Sequence, residues 1–184
     1  MNDNLFSGKW VRLSAFDLET YPRELSRWLR DSEYWRLQDS YPPHAVSSRQ
    51  IKAGMEKDLD KEPLNQVGFA IRTLADDRLI GDIGLGGFRW NYGDAFVGIG
   101  IGERKLWGKG YGSDAMQVLL RYAFMELNLH RVTLTVFEYN PRAIRSYEKC
   151  GFRVEGRTRK LLHRAGRRWD EIFMGILREE WLKL

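Results

Sequence analysis

Seven residues, Trp107-Gly108-Lys109-Gly110-Tyr111-Gly112-Ser113, constrain this chain more than any other stretch. They join a strand-like run, Ala95–Ile101, to a helix-like run, Ser113–Leu127. A glycine-rich turn that opens a helix leaves backbone N–H groups without intrahelical acceptors. Those donors and the helix dipole make an anion site suited to phosphate. Glycine lets the turn bend sharply and lets the anion come close. The helix that follows is apolar nearly all round. Ala115, Val118, Leu119 and Tyr122 form one stripe, and Leu120, Ala123, Phe124 and Leu127 another. Asp114, Gln117, Arg121 and Asn128 leave only a narrow polar face. Such a helix must be buried, so it packs on a sheet. Taken alone, the loop is equally compatible with a glycine turn that binds nothing.

The rest of the chain supplies that sheet. Lys9–Leu13 alternates and reads as a first strand. Asp17 is placed to cap a helix to about Leu29, and Ser47 or Ser48 to cap another through Leu59. Gly68–Thr73 and Leu79–Phe88 read as strands, with turns at 74–78 and 91–94. Glycines 98, 100 and 102 weaken the strand before the loop and mark a place where a ligand or another backbone comes close. Arg131–Phe137 is a β-branched strand. Asn140-Pro141 combines a preferred N-cap with a preferred first helical residue, and Gly151 suits the left-handed position after the helix. Two final strands, about Arg153–Leu162 and Trp169–Leu177, meet at a hairpin turn, Ala165-Gly166. Strands interspersed with helices predict a layered α/β sandwich.

Composition narrows the class. The 184 residues suit one domain, 1–184, with its own core. No apolar run approaches the ~20 residues of a membrane span. The start, Met1-Asn-Asp-Asn, does not read as a signal peptide, and the lone Cys150 excludes an internal disulfide. These features predict a cytoplasmic protein with no membrane partner. The net charge of +5 is uneven, with six Lys/Arg and His163 between Arg157 and Arg168 and no acid among them. That segment is either a solvated basic hairpin or a surface for an acidic partner. No nucleic-acid motif accompanies it, so direct nucleic-acid binding is not expected.

The order strand, glycine loop, buried helix, strand continues into Asn140-Pro141-Arg142-Ala143-Ile144-Arg145-Ser146-Tyr147-Glu148-Lys149-Cys150-Gly151-Phe152. This arrangement resembles the GNAT acetyltransferase superfamily from about Leu79 to Trp181. The first 60 residues fit only in the order of their elements. The segment Phe124–Arg131 and the tail Leu177-Arg178-Glu179-Glu180-Trp181 are most similar to the ribosomal-protein N-terminal acetyltransferases (RimJ/RimL type) and the related spermidine acetyltransferases. The resemblance implies an α/β (α+β) acyl-CoA N-acyltransferase fold: a central mixed, mostly antiparallel sheet of about seven strands flanked by helices. It implies acetyl-CoA as co-substrate, an amine acceptor, and for many relatives a homodimer, to which Trp181 and Leu182 could contribute. It implies no metal.

On this resemblance the loop Trp107, Gly108, Lys109, Gly110, Tyr111, Gly112 and Ser113 holds the pyrophosphate. Ile99, Gly100 and Ile101 bind the pantetheine arm as a false strand, and Asn140 contacts its amide besides capping a helix. Tyr147 is the catalytic candidate, protonating the departing thiolate; the alternative is a core tyrosine. The family's usual Gln or Arg before the loop glycines is Trp107 here, which leaves Lys105 and Lys109 as sources of charge. The family's frequent strand glutamate is matched by Phe96. As bases this leaves Asp82, Glu103 and Glu138, each of which reads first as a solvated surface charge, or a water chain that needs no single residue. Cys150 reads as a packed residue rather than a nucleophile.

Three functions follow. The first is acetyl transfer to a protein or peptide α-amine, favoured because a basic hairpin does not suit a polyamine. The second is transfer to a small amine, a polyamine or an aminoglycoside, in a pocket of Trp28, Trp35, Tyr41, Trp90 and Tyr92; those aromatics fit core or dimer contacts equally. The third is a non-catalytic acyl-CoA-binding module.

Overall fold

The computed structural model describes residues 4–59 and 65–184. Seven strands form one sheet: β1 (Val11–Ser14), β2 (Gln66–Thr73), β3 (Leu79–Arg89), β4 (Asp94–Ile101), β5 (Arg131–Phe137), β6 (Arg153–Arg164) and β7 (Arg167–Leu177). Their spatial order is β1-β2-β3-β4-β5-β7-β6. Every neighbouring pair is antiparallel except β4 and β5. The helices are α1 (Tyr21–Trp28), α2 (Ser32–Gln38), α3 (Ser48–Leu59), α4 (Tyr111–Met125), α5 (Pro141–Lys149) and α6 (Arg178–Trp181). Among the described residues no helix is long and apolar enough to cross a membrane.

Strand alternation divides the sheet into two faces. Ile71, Ile83, Leu85 and Val132 meet α4, whose Leu119, Leu120 and Phe124 are fully buried. Each such side chain contributes about 1.5–3 kcal/mol by leaving water. On the other face Tyr21, Trp28 and Tyr34 of α1 and α2 cover Ala70 and Leu79. Glycines in β4 and just after it explain how they approach so closely. A Cβ on Gly100 would lie 2.5 Å from the Tyr34 hydroxyl, and one on Gly102 would overlap the Trp28 indole. The glycine run therefore serves helix–sheet packing, and only Gly98 faces open space.

Local signals set most boundaries. Ser47 and Gln50 form a reciprocal cap at α3: the Gln50 N–H reaches Ser47 Oγ at 3.2 Å, and the Ser47 N–H reaches Gln50 Oε1 at 3.0 Å. Ala165 and Gly166 have φ of 53° and 75°, the paired left-handed turn that closes a two-residue hairpin. Two expectations change. Asp17 does not cap a helix to Leu29. Its carboxylate closes a turn on the Glu19 N–H (2.8 Å) and the Thr20 hydroxyl, and α1 begins at Tyr21 with Pro22 in its first turn. A separate helix, α2, follows; Asp31 caps it by accepting the Glu33 and Tyr34 N–H groups. The glycine-loop helix also begins earlier, at Tyr111 rather than Ser113.

Candidate active site

β4 and β5 pair only at Asp94–Phe96 with Arg131–Thr133. Phe96 marks the fork. Beyond it the strands part, and a cleft of about 810 Å³ opens between Val97–Ile101 and Thr135–Phe137. β3 still holds the outer side of β4 as far as Ile101, so among the described residues the side facing the cleft has no strand partner. An extended amide chain can complete that edge. Ile99 and Ile101 line the cleft, whereas Gly100 is turned to the opposite face beneath Tyr34.

The glycine loop closes one end. Gly108 and Gly110 take φ of 74° and 92°, which disfavours any residue with a Cβ. A Cβ at Gly110 would also stand 2.8 Å from the Trp10 ring. The first intrahelical bond of α4 runs from the Asp114 N–H to the Gly110 carbonyl. The N–H groups of Tyr111, Gly112 and Ser113 therefore precede the ladder, and among the described residues no protein acceptor meets them. The Asp114 carboxylate is engaged elsewhere, accepting the N–H groups of Lys9, Trp10 and Val11 at 2.8–3.0 Å. This donor set fits a pyrophosphate. The Lys109 N–H is taken by the Leu106 carbonyl, but the residue lines the cleft; Lys105 does not. Cations missed in the sequence come from α5: Arg142, Arg145 and Lys149 also line the cleft. Arg142 lies 3.9 Å over the Trp107 ring, and the Trp107 Nε1–H donates to the Ile101 carbonyl. Trp107 thus joins the end of β4 to a cation.

α5 brings Asn140 and Tyr147 to the same cleft. Asn140 is buried and its Oδ1 accepts the Ala143 N–H at 3.2 Å, the expected cap. Ser146 Oγ meets Ser113 Oγ at 2.8 Å and ties α5 to the loop helix. Burial pushes the Tyr147 hydroxyl up to about 12, so it stays protonated at neutral pH. Cys150 is fully buried and its thiol is pushed up to about 11 by burial, which fits a packed residue.

The far side of the cleft departs from the sequence reading. Asp82 is not a solvated charge. It faces Tyr21 and Tyr34, and burial pushes its carboxyl up to about 6. Glu103 is not solvated either; it pairs with Arg27 and accepts the Trp28 Nε1–H. Glu138 stays at the surface beside Arg157. The five aromatics do not gather: Trp28 and Trp35 are buried, while Tyr41, Trp90 and Tyr92 are exposed. The basic hairpin is partly spent internally. Arg164 donates to the carbonyls of Arg36, Asp39, Ser40 and Tyr41, Arg157 pairs with Asp170, and Arg168 meets the carbonyls of Lys160 and Leu161. Trp181 packs on Phe124 of its own chain, with ring centroids 5.5 Å apart.

Comparison with known proteins agrees with this geometry. A SPbeta prophage-derived uncharacterized N-acetyltransferase, YokL, of Bacillus subtilis (strain 168) is 31% identical over 158 residues, covering 82% of each chain. A spermidine N(1)-acetyltransferase of Vibrio cholerae is 39% identical over 75 residues, 41% of this chain and 43% of the relative. The crystal structure of a Vibrio cholerae spermidine N-acetyltransferase with CoA and spermine superposes with a TM-score of 0.82 at 26% identity, covering 94% of this chain and 98% of the other. The acetyltransferase (GNAT) domain model matches residues 11–153. On that match, and with a forked sheet and a glycine loop of this form, the chain belongs to the GNAT acetyltransferases: it is an N-acetyltransferase that uses acetyl-CoA as co-substrate.

Proposed function

We propose that the acceptor is an α-amine at the end of a peptide or protein, as in the RimJ/RimL-type branch, and that Tyr147 is the acid for the departing sulfur. The observation carrying the acceptor reading is the charge state of the acceptor side. Asp31 and Glu33 are both paired with Arg104, Glu103 with Arg27, and Glu138 and Asp170 with Arg157. A polyamine carries several ammonium groups and needs several free carboxylates along its length; these five are already held by arginines. A monocationic amine terminus needs only one anion. An α-amine, with a pKa near 8, also loses its proton far more readily than an alkylamine near 10.4.

The residues divide the work. The N–H groups of the glycine loop and the cations of α5 bind phosphate. The free edge of β4 orients the pantetheine amides, with Asn140 across the cleft. The acetyl thioester supplies the electrophile. A backbone N–H near Ile101 faces the carbonyl oxygen as it gains charge. Tyr147 holds a proton at its hydroxyl for the sulfur, and burial prevents its loss to solvent. The likeness to spermidine acetyltransferases supports a second reading, a polyamine acceptor. Thiol release from acetyl-CoA decides between them. The panel is peptides beginning Ser, Ala or Thr, lysine peptides, spermidine and aminoglycosides. Turnover of N-terminal peptides alone supports the α-amine. Efficient spermidine turnover without peptide turnover overturns it.

A further inference from the structure

The cleft described so far has an acid but no base. The acceptor amine enters as an ammonium and must lose a proton before its lone pair can attack. The β3–β4 register places Asp82 directly opposite Gly100. Cross-strand partners share a face, with Cβ positions about 5 Å apart. Over that same spot sits the Tyr34 hydroxyl, 2.5 Å from where a Gly100 Cβ would be. Tyr34 lines the cleft and Asp82 lies behind it. Tyr34 thus stands close to the carboxylate while also lining the cleft, and the missing side chain of Gly100 is what lets it lie there.

We propose that Asp82 is the terminal proton acceptor for the amine, reached through the Tyr34 hydroxyl. The proton of the ammonium N–H passes to the Tyr34 oxygen as the Tyr34 O–H proton passes to the Asp82 carboxylate. The neutral amine then forms the C–N bond as the C–S bond breaks. As Tyr147 protonates the departing sulfur, the second N–H proton leaves the new amide nitrogen and, through solvent, restores the Tyr147 hydroxyl, while Asp82 returns its proton to solvent. This inference rests on the N-acetyltransferase reading but not on which amine is the acceptor.

The surroundings of Asp82 suit the role. Tyr21 reaches it from α1 and Tyr34 from α2; its strand partners are Ala70 on β2 and Gly100 on β4. Among the described residues no Lys or Arg pairs with it. A carboxylate meant only for structure would be expected to find a cation. Instead, burial lifts the carboxyl from 3.8 to about 6. The group is still ionised at neutral pH, yet is about a hundredfold better at holding a proton than a solvated aspartate.

The test is kcat/KM against pH for the wild type and Asp82→Asn, with any primary amine that the wild type turns over. The wild type should rise through about pH 6 and then stay level up to the pKa of the amine. Asp82→Asn can use only amine already deprotonated in solution. Its kcat/KM should climb about tenfold per pH unit and approach the wild type only near that pKa. Tyr34→Phe should show the same slope. Independently of turnover, carbon-13 NMR of aspartate carboxylates in the free protein should show one resonance titrating near 6 that is missing from Asp82→Asn. A deficit equal at every pH would make Asp82 merely structural, and unchanged kinetics would remove it from the reaction; either overturns the proposal. A wild type that turns over no amine would instead fail the functional reading itself.

Discussion

A half-buried carboxylate kept ionised at neutral pH should weaken the fold, and the size of that effect can be worked out for Asp82. Its carboxyl is lifted from 3.8 to about 6 by burial against Tyr21 and Tyr34. A raised acid favours the protonated form in the folded state. The penalty is therefore absent below about pH 4, grows as pH rises from about 4 to 6, and is fully present above that. Two units correspond to about 3 kcal/mol, and partial exposure makes this an upper bound. Asp82→Asn keeps the shape and the Tyr21 contact but removes the charge. Urea unfolding at pH 7 should show the variant more stable than wild type by about 1–3 kcal/mol, with a Tm several degrees higher. At pH 4 the difference should vanish. The same substitution should lower activity, so stability and turnover move in opposite directions, as expected where a strained group is kept for function. Equal stability at pH 7, or a variant less stable than wild type, would refute the claim that this charge is held against its own solvation.

Other substitutions test neighbouring parts. Tyr147→Phe should lower kcat by about 10²–10⁴-fold, the usual contribution of a positioned acid, and leave acetyl-CoA affinity within about twofold by calorimetry. Asn140→Ala removes the cap of α5 and should cost about 0.5–2 kcal/mol in urea unfolding. Arg164→Met removes the donor to four carbonyls in 36–41. It should raise KM for the acceptor amine severalfold in steady-state assays while the Kd for acetyl-CoA stays unchanged.

What could be read in advance was whatever rests on neighbours in sequence. β5 was legible from its β-branched run and α5 from Asn140-Pro141 at one end and Gly151 at the other, because caps and turns are local chemistry. The glycine loop was legible for the same reason, although the helix begins two residues earlier than its apolar pattern implies. α2 was not. Its seven residues are too few to show a period, and only Asp31 signalled its start. The parting of β4 and β5 depends on strands about 35 residues apart in the chain, and nothing within either strand records it. Asp82 was misread for a related reason. Within β3 it is simply the polar residue of an alternating strand. The tyrosines that desolvate it lie on helices far earlier in the chain. Within its own segment Arg142 is only a first-turn residue beside Pro141 and the cap; its role depends on a tryptophan from the glycine loop. Gly100 and Gly102 are places of close approach, as their glycines suggest, but the approaching groups are Tyr34 and Trp28 rather than a ligand, and Gly98 faces open space.

The central claim is that acetyl-CoA lies in the β4–β5 fork with its phosphates on the glycine loop. Isothermal titration of acetyl-CoA into wild type, Gly110→Ala and Gly110→Glu tests it most directly. Gly110→Ala carries the left-handed backbone strain and the contact with Trp10 without new charge. Gly110→Glu adds a carboxylate where the proposed site holds phosphate. The account predicts one saturable site in the wild type, a loss of about tenfold or less in Gly110→Ala, and a loss of at least about a hundredfold in Gly110→Glu while cooperative unfolding is retained. Gly110→Glu binding acetyl-CoA as tightly as Gly110→Ala would place the phosphates elsewhere and contradict the account.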